Sequence, residues 1–563
     1  MTSPPSPQPD PVGPPQAVPL HQYPKNAATQ HLCAAAYIDR DFRDAVYDEV
    51  YGRFDRAVAP NPGTDAVPVL RHMRLSRRLD LAQQSILAGM MLFLLCAPVV
   101  DKLGLITGLI LWTLVGVPTL IAEFKSNLPT GSISAATAVR TNWARVALIV
   151  FAVLAGLFIA YYIWFMSLTD SFSDSVSSGA SLELGEPSAP ERGPGLGSVF
   201  GWLLVLASVT ATCGAIRARN LMSIPAELEP AGTADQRAHF IGLAQHSPVV
   251  TYNAARAPFV GSGFPLATWQ LAMTLRPADA SAGDGSAMTA DPVALNRSVK
   301  ARIQQLGSDS AVTRRLPGLE LSDHVYVSGR DTAAPVFHPY ELARAGFPFE
   351  TVEQVQADPT TPVRHYLRCT IDSWGGELVT TVYLHCAFQG ETLYVEFTSC
   401  VLPPTRGRYH VFGSGVSENR AVFLGLARGI AAMPIEFVRS PVDLMRELAR
   451  GGSAAPSGGA GLGIGDHGAL AGIRELGTDV VEHNYFQYRD SIKYIEILER
   501  QILDALLDYL RENNVDVSEL DERANTIVNN GVINYGKLNT AAAGANAKAT
   551  VGSVGDKSRG SVS

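Results

Sequence analysis

Four apolar runs, at residues 86–100, 103–122, 143–168 and 199–215, constrain this chain more than any motif in it. Crossing a hydrocarbon core of ~30 Å takes roughly 20 helical residues. The two middle runs reach that length, and the outer two approach it with their flanks. Four transmembrane helices are therefore expected. Residues 1–26 are Pro-rich, hold no apolar stretch that could act as a signal peptide, and are expected to be disordered.

Charge sets the orientation, because Lys and Arg are retained on the cytoplasmic side. Arg71, Arg74, Arg77 and Arg78 precede the first run, Lys125, Arg140 and Arg145 lie between the second and third, and Arg217 and Arg219 follow the fourth. The loop at 169–197 sets Arg192 against Asp170, Asp174, Glu183, Glu186 and Glu191. The alternation predicts a multi-pass protein of the cell membrane with both termini cytoplasmic. Away from the Asp101-Lys102 turn, and from Arg145 at the cytoplasmic end of the third run, the membrane cores carry no acidic or basic residue, which disfavours a transport pathway. A net charge of −8 gives no reason to expect nucleic acid. The six cysteines form no Cys-x-x-Cys pair, so neither a zinc knuckle nor a redox pair is expected.

The rest divides by pattern. Residues 27–80 form a cytoplasmic helical segment, in which 27–60 reads as one amphipathic helix with Ile38, Phe42, Val46, Val50 and Phe54 on its apolar side. The transmembrane region occupies 81–220, and a cytoplasmic α+β domain 221–450. In that domain 249–252 and 268–275 read as strands around Pro258-Phe259-Val260-Gly261-Ser262-Gly263, a tight turn rather than a phosphate cradle. A helix at 291–306 opens on Asp291 as N-cap with Pro292 behind it. Stretches 363–374, 377–388 and 391–402, joined at Gly375-Gly376 and Gln389-Gly390, predict an antiparallel β-meander. Leu378, Thr380, Val382, Leu384, Cys386 and Phe388 would face its core, with Val379, Thr381, Tyr383, His385 and Ala387 on the other face. A helix at 417–450, interrupted by Pro434 and Pro441, is expected to cover the sheet.

Residues 451–478 read as a Gly-rich linker, most clearly in GGSAAPSGGAGLGIG at 451–465. At 479–514 follows an amphipathic or coiled-coil helix whose face carries Tyr488, Ile492, Ile495, Ile502, Leu506 and Tyr509, with Glu499 as its one polar slot. That stripe needs either a partner, a second copy included, or the main domain to dock on. The tail at 515–563 is largely disordered but repeats apolar-Asn-any-small: Val528, Asn529 and Gly531, then Ile533, Asn534 and Gly536, then Leu538 and Asn539. Stacked copies could form Asn ladders; a plain low-complexity tail is the other reading.

His365, His385 and His410 lie on or beside the meander with Asp372, Glu377, Glu391 and Glu396 nearby, but no spacing of catalytic or metal-binding type links them. They read as structural, and no catalytic residue, metal ligand or cofactor is assigned.

Leu32–Phe42 (LCAAAYIDRDF), Pro258–Gly263 (PFVGSG), Trp374–His385 (WGGELVTTVYLH) and Leu393–Pro404 (LYVEFTSCVLPP) together resemble an uncharacterised family of actinobacterial integral membrane proteins. The resemblance implies the four-helix layout and brings no activity. More loosely, the tail resembles the Asn/Gly-rich amyloid signalling motifs of some bacterial immune receptors and membrane effectors. The fold class expected is an α+β membrane protein: four transmembrane helices, a cytoplasmic α+β domain with the meander, then the amphipathic helix and repeat tail. The function expected is that of a non-enzymatic membrane scaffold or signalling protein, touching the lipid bilayer and self-associating or recruiting a protein through its C-terminal helix and tail. The alternatives are a membrane-bound enzyme using His385 and Glu396, or a small transporter.

Overall fold

The computed structural model describes residues 26–96, 104–114, 196–224, 235–278, 291–309, 311, 313, 315–330, 349–412, 417–452, 465–478 and 484–530. The third apolar run and residues 115–122 of the second lie outside the described residues, as do 1–25 and the tail after 530.

Strands β1 (Val249–Tyr252), β2 (Phe264–Thr274), β3 (Leu319–Ser328), β4 (Arg364–Ser373), β5 (Leu378–Gln389) and β6 (Thr392–Leu402) form one sheet in the order β1-β3-β4-β5-β6-β2. Only β1, beside β3, is parallel; every other pairing is antiparallel, so the sheet is mixed. The meander is found as expected from its two hairpin-length joints. β3 was not expected: Asp323-His324 interrupts the apolar alternation of LELSDHVYVS.

Helices in chain order are α1 (Ala27–Ile38), α2 (Arg40–Val46), α3 (Ala66–Cys96), α4 (Gly104–Leu114), α5 (Leu196–Ser223), α6 (Gln236–Ala244), α7 (Pro292–Ser308), α8 (Phe349–Ala357), α9 (Glu418–Gly452), α10 (Ile473–Leu476), α11 (Tyr485–Glu512) and α12 (Ser518–Asn530). Asp291 caps α7 through a 2.8 Å bond from the Ala294 N–H, with Pro292 at the first helical position.

α7 and α11 cover one face of the sheet. Ile495, Leu498, Ile502, Leu506 and Tyr509 of α11 are buried in one cluster with Leu271, Leu367, Val382, Leu384 and Val395. Each such side chain contributes about 1.5–3 kcal/mol on leaving water. Ile492 is also buried and Tyr488 is half-buried. Glu499, the polar slot, accepts the indole N–H of Trp269 at 2.7 Å. The chain's own sheet therefore occupies this stripe, which is the docking arrangement of the two weighed above.

The helix assigned to cover the sheet does something else. α9 lies against α5 and α3, and Met433 and Phe437 share a buried cluster with Leu87, Leu94, Leu203 and Leu206. Its composition explains this: Glu418–Ala449, like Ala66–Cys96 and Ser198–Ser223, is long and apolar enough to cross a membrane. Among the described residues these are the three helices of that kind, and four spans are not found. α4 is apolar but shorter.

Both prolines in α9 deprive a carbonyl four residues earlier of its usual N–H partner. The Ile430 carbonyl freed by Pro434 accepts from the Trp112 indole at 3.1 Å, and the Phe437 carbonyl freed by Pro441 accepts from Ser440 at 2.8 Å. Such repair is what tolerates proline in an apolar surrounding. Gly425-x-x-x-Gly429 of α9 meets Thr210 and Gly214 of α5 so closely that a Cβ on Gly425 or Gly429 would strike backbone carbonyl oxygens.

The expected single helix over 27–60 is broken. The Asp39 side chain accepts from Asp41 N–H and Phe42 N–H, capping α2 and ending α1. α1 is also buried nearly all round rather than amphipathic. Residues 465–478, read as linker, are built into the protein: Ala469 bonds to β1 at 2.8 Å, and Ile473 and Arg474 are buried. α12 holds Val528 and Asn529 in helix, not in the extended form a stacked repeat needs; Gly531, Ile533, Asn534, Gly536, Leu538 and Asn539 lie outside the described residues.

Candidate functional site at the junction of helix and sheet

The turn between β4 and β5 is sharp. Trp374, Gly375 and Gly376 all have positive φ, at 56°, 66° and 86°. Gly376 lies against Gly63 and Ala28, where a side chain would collide with the Gly63 carbonyl. This turn sends the Glu377 carboxylate into the interior, fully buried. Pro403 and Pro404 end β6 and bring Thr405 over it. The Thr405 N–H donates to Oε2 at 2.7 Å, and its hydroxyl lies 2.9 Å from both carboxylate oxygens.

Two imidazoles complete the cluster. His31, on α1, sets Nδ1 2.5 Å from Glu377 Oε1. His410, past a 3-10 turn at Gly407–Tyr409, sets Nε2 2.9 Å from Thr405 Oγ1 and 3.7 Å from Glu377 Oε2. The rings stack, centroids 3.9 Å apart, and Phe412 lies parallel to His31. Beneath them Arg474, wholly buried, donates from Nη2 to the carbonyls of Gly376, Glu377 and Pro403 at 2.8–3.2 Å. Burial would raise the Glu377 carboxyl, but the His31 hydrogen bond and the Arg474 charge outweigh it and hold it at about 2.

A second buried carboxylate, Asp39, lies just past the end of α1, eight residues beyond His31. Asp39 Oδ2 accepts from Arg406 at 2.9 Å, from the Tyr409 hydroxyl at 2.5 Å, and from Arg408. α1 and α2 are thus bound to the 403–412 segment at both ends. Their other side is bound to the apolar helices: Arg43 to Asp80, Arg40 to Asp443 at 2.8 Å, and Tyr37 to His72 at 3.1 Å. Arg217 joins Asp80 at 2.6 Å, and Arg77 joins Glu447 at 2.8 Å. Several bases that fixed the expected orientation are therefore engaged in ion pairs at this junction.

His385 and Glu396 are cross-strand neighbours in β5 and β6, yet they do not bond each other. His385 Nδ1 donates to the His365 carbonyl at 2.8 Å, and its buried Nε2 has no partner among the described residues. Glu396 accepts from the Tyr366 hydroxyl at 3.1 Å. Burial lowers His385 to about 4, so it is a neutral ring of the sheet near pH 7. His365 belongs to another set: its Nε2 lies 3.0 Å from Asp323, which also pairs with Lys300. Burial alone would raise Asp323, but these two partners bring it down to about 2.

The sign of that shift gives a pH dependence. The stabilisation is present above the unfolded carboxyl value of 3.8 and is lost as pH falls toward 2. Asp323→Asn is expected to cost roughly 2 kcal/mol at pH 7 and far less at pH 2. Denaturation of both forms at the two pH values measures this, and an equal cost at each would exclude the pairing.

The Gly261-Ser262-Gly263 turn does meet an anion, one that the chain supplies. Gly263 N–H and Gly472 N–H each donate at 2.9 Å to the half-buried Glu475.

Of the polar residues noted beside the meander, the structure brings Glu377 and His410 together. Sequence reading missed His31, 346 residues from Glu377, because no spacing joins them. Among the described residues His31, Glu377 and His410 form the one group whose ligand atoms, all within 4.8 Å of one another, could hold a metal ion. Residues 268–541 match the family profile of the AbeC-like domain. The AbeC-like span takes in the sheet from within β2, together with Glu377, Thr405, His410 and Arg474, but not His31, α1 or α3. It supports the family resemblance for the sheet half of the chain; neither an actinobacterial origin nor four membrane helices follows from it. No curated protein and no solved structure matches the chain.

Proposed function

We propose that this chain is an integral membrane scaffold or signalling protein, with α3 and α5 crossing the bilayer, α9 packed against them without crossing because the segments on either side of it, 403–412 and 465–478, meet in the sheet domain, and the AbeC-like domain on the cytoplasmic side with both termini. The observation that carries the reading is the double binding of α1 and α2. One side is fastened to the 403–412 segment of the sheet domain and the other to Asp80, Asp443 and His72 of the apolar helices. A change in the sheet domain would pass through this wedge to the bundle, or the reverse.

Self-association or partner recruitment falls to the tail, since the apolar stripe of α11 is taken by the sheet. The cut that tests it belongs after Asn530, because 465–478 and α11 are part of the core. Removing residues 531–563 from the full chain in detergent is expected to shrink its oligomer while leaving its melting temperature unchanged. An unaltered oligomer size would refute recruitment by the tail.

A further inference from the structure

The cluster at the junction supports an inference that does not rest on the scaffold reading. We propose that His31 Nδ1, a Glu377 oxygen and His410 Nε2 form a binding site for one divalent first-row transition-metal ion, with zinc the best match. Two imidazole nitrogens and a carboxylate oxygen, from three distant segments, have ligand atoms within 4.8 Å of one another. That donor set suits zinc and its neighbours; calcium and magnesium select oxygen ligands, and copper(I) selects sulfur.

Three further features separate this group from a chance meeting of polar side chains. First, its supports are built in. The Thr405 N–H and hydroxyl fix the carboxylate, and Arg474 ties the Gly376–Glu377 turn to Pro403. Outer partners of this kind orient metal ligands and tune their affinity. Second, the donor atoms converge: Thr405 Oγ1 lies 2.9 Å from both Glu377 oxygens and from His410 Nε2. A metal ion bound among them would displace the proton that His31 Nδ1 now shares with Glu377. Third, exposure is graded, from 0% at Glu377 through 13% at His31 to 37% at His410. The carboxylate forms a floor and His410 a rim, which gives an ion a way in. Three protein ligands leave a fourth position toward that rim for water or a further group.

The test uses the full chain in detergent, stripped with EDTA and titrated with Co2+ as the probe. One equivalent should bind with the visible absorption of a nitrogen- and oxygen-ligated site. Zn2+ should displace it and raise the melting temperature. His410→Ala, at the half-exposed rim, should weaken Co2+ binding by at least about 10-fold, and Thr405→Val by roughly 10-fold through loss of the outer support. His467→Ala, an exposed histidine elsewhere, should bind as the wild type does. If His410→Ala fails to fold, His410→Gln keeps a bond to Thr405 while removing the ligand nitrogen. Equal Co2+ affinity in wild type and either folded His410 variant would overturn the proposal, as would wild type that takes up no Co2+.

Discussion

Replacing Arg474 by methionine is expected to destabilise the protein by about 3–5 kcal/mol, the range for removing one partner from a buried charged set. The guanidinium is fully buried and serves three carbonyls from the two turns that frame the junction. Methionine fills similar volume but leaves those carbonyls without a donor and the Glu377 carboxylate without its cation. Arg406→Met is the control. Arg406 also bonds a buried acid, Asp39, but is 30% exposed, so water takes up part of the loss. Thermal melts in one detergent compare the two. An Arg474→Met melting temperature equal to that of wild type would show that the two turns hold without it.

The second large effect is expected at Gly429. Thr210 and Ala211 of α5 approach it through their backbones, which cannot yield as a flexible side chain can. Gly429→Leu should force α9 off α5 at a cost of about 3 kcal/mol or more, and Gly425→Leu should do the same against Gly214. Gly201→Leu, where an added Cβ meets nothing within 4 Å, should be tolerated. Yield of monodisperse protein after extraction reads the difference. Equal yields from Gly429→Leu and Gly201→Leu would exclude the close crossing.

Which parts of this structure were legible in the sequence follows from the range of the interactions. Local signals held: the Gly375-Gly376 and Gln389-Gly390 hairpins, the Asp291 cap with Pro292, and the alternation from Leu378 to Phe388 all depend on neighbours within a few residues. α9 was misplaced because Pro434 and Pro441 read as breaks. Their freed carbonyls are repaired by Trp112, over 300 residues distant, and by Ser440. The length of an apolar run identified helices suited to a bilayer. It gave no warning that a helix carrying Glu436, Arg439 and Asp443 would join them.

The junction was the least legible part. Glu377 and His410 were noticed as polar residues beside strands, but their partner His31 and the underlying Arg474 lie at opposite ends of the chain. Arg474 sits just past a glycine-rich stretch whose composition suggested a linker. Only the folded topology, which seats 465–478 between the sheet and the first helices, makes it a core residue.

The placement of α9 decides whether that helix joins the membrane bundle or covers the sheet, and lipid-phase photolabelling of the full chain in membranes tests it most directly. Carbene reagent dissolved in the bilayer should label peptides from Ala66–Cys96, Ser198–Ser223 and Glu418–Ala449, reaching exposed side chains such as Leu92, Leu204 and Phe423, and should spare α11. Label on α11 with none on Glu418–Ala449 would contradict the account.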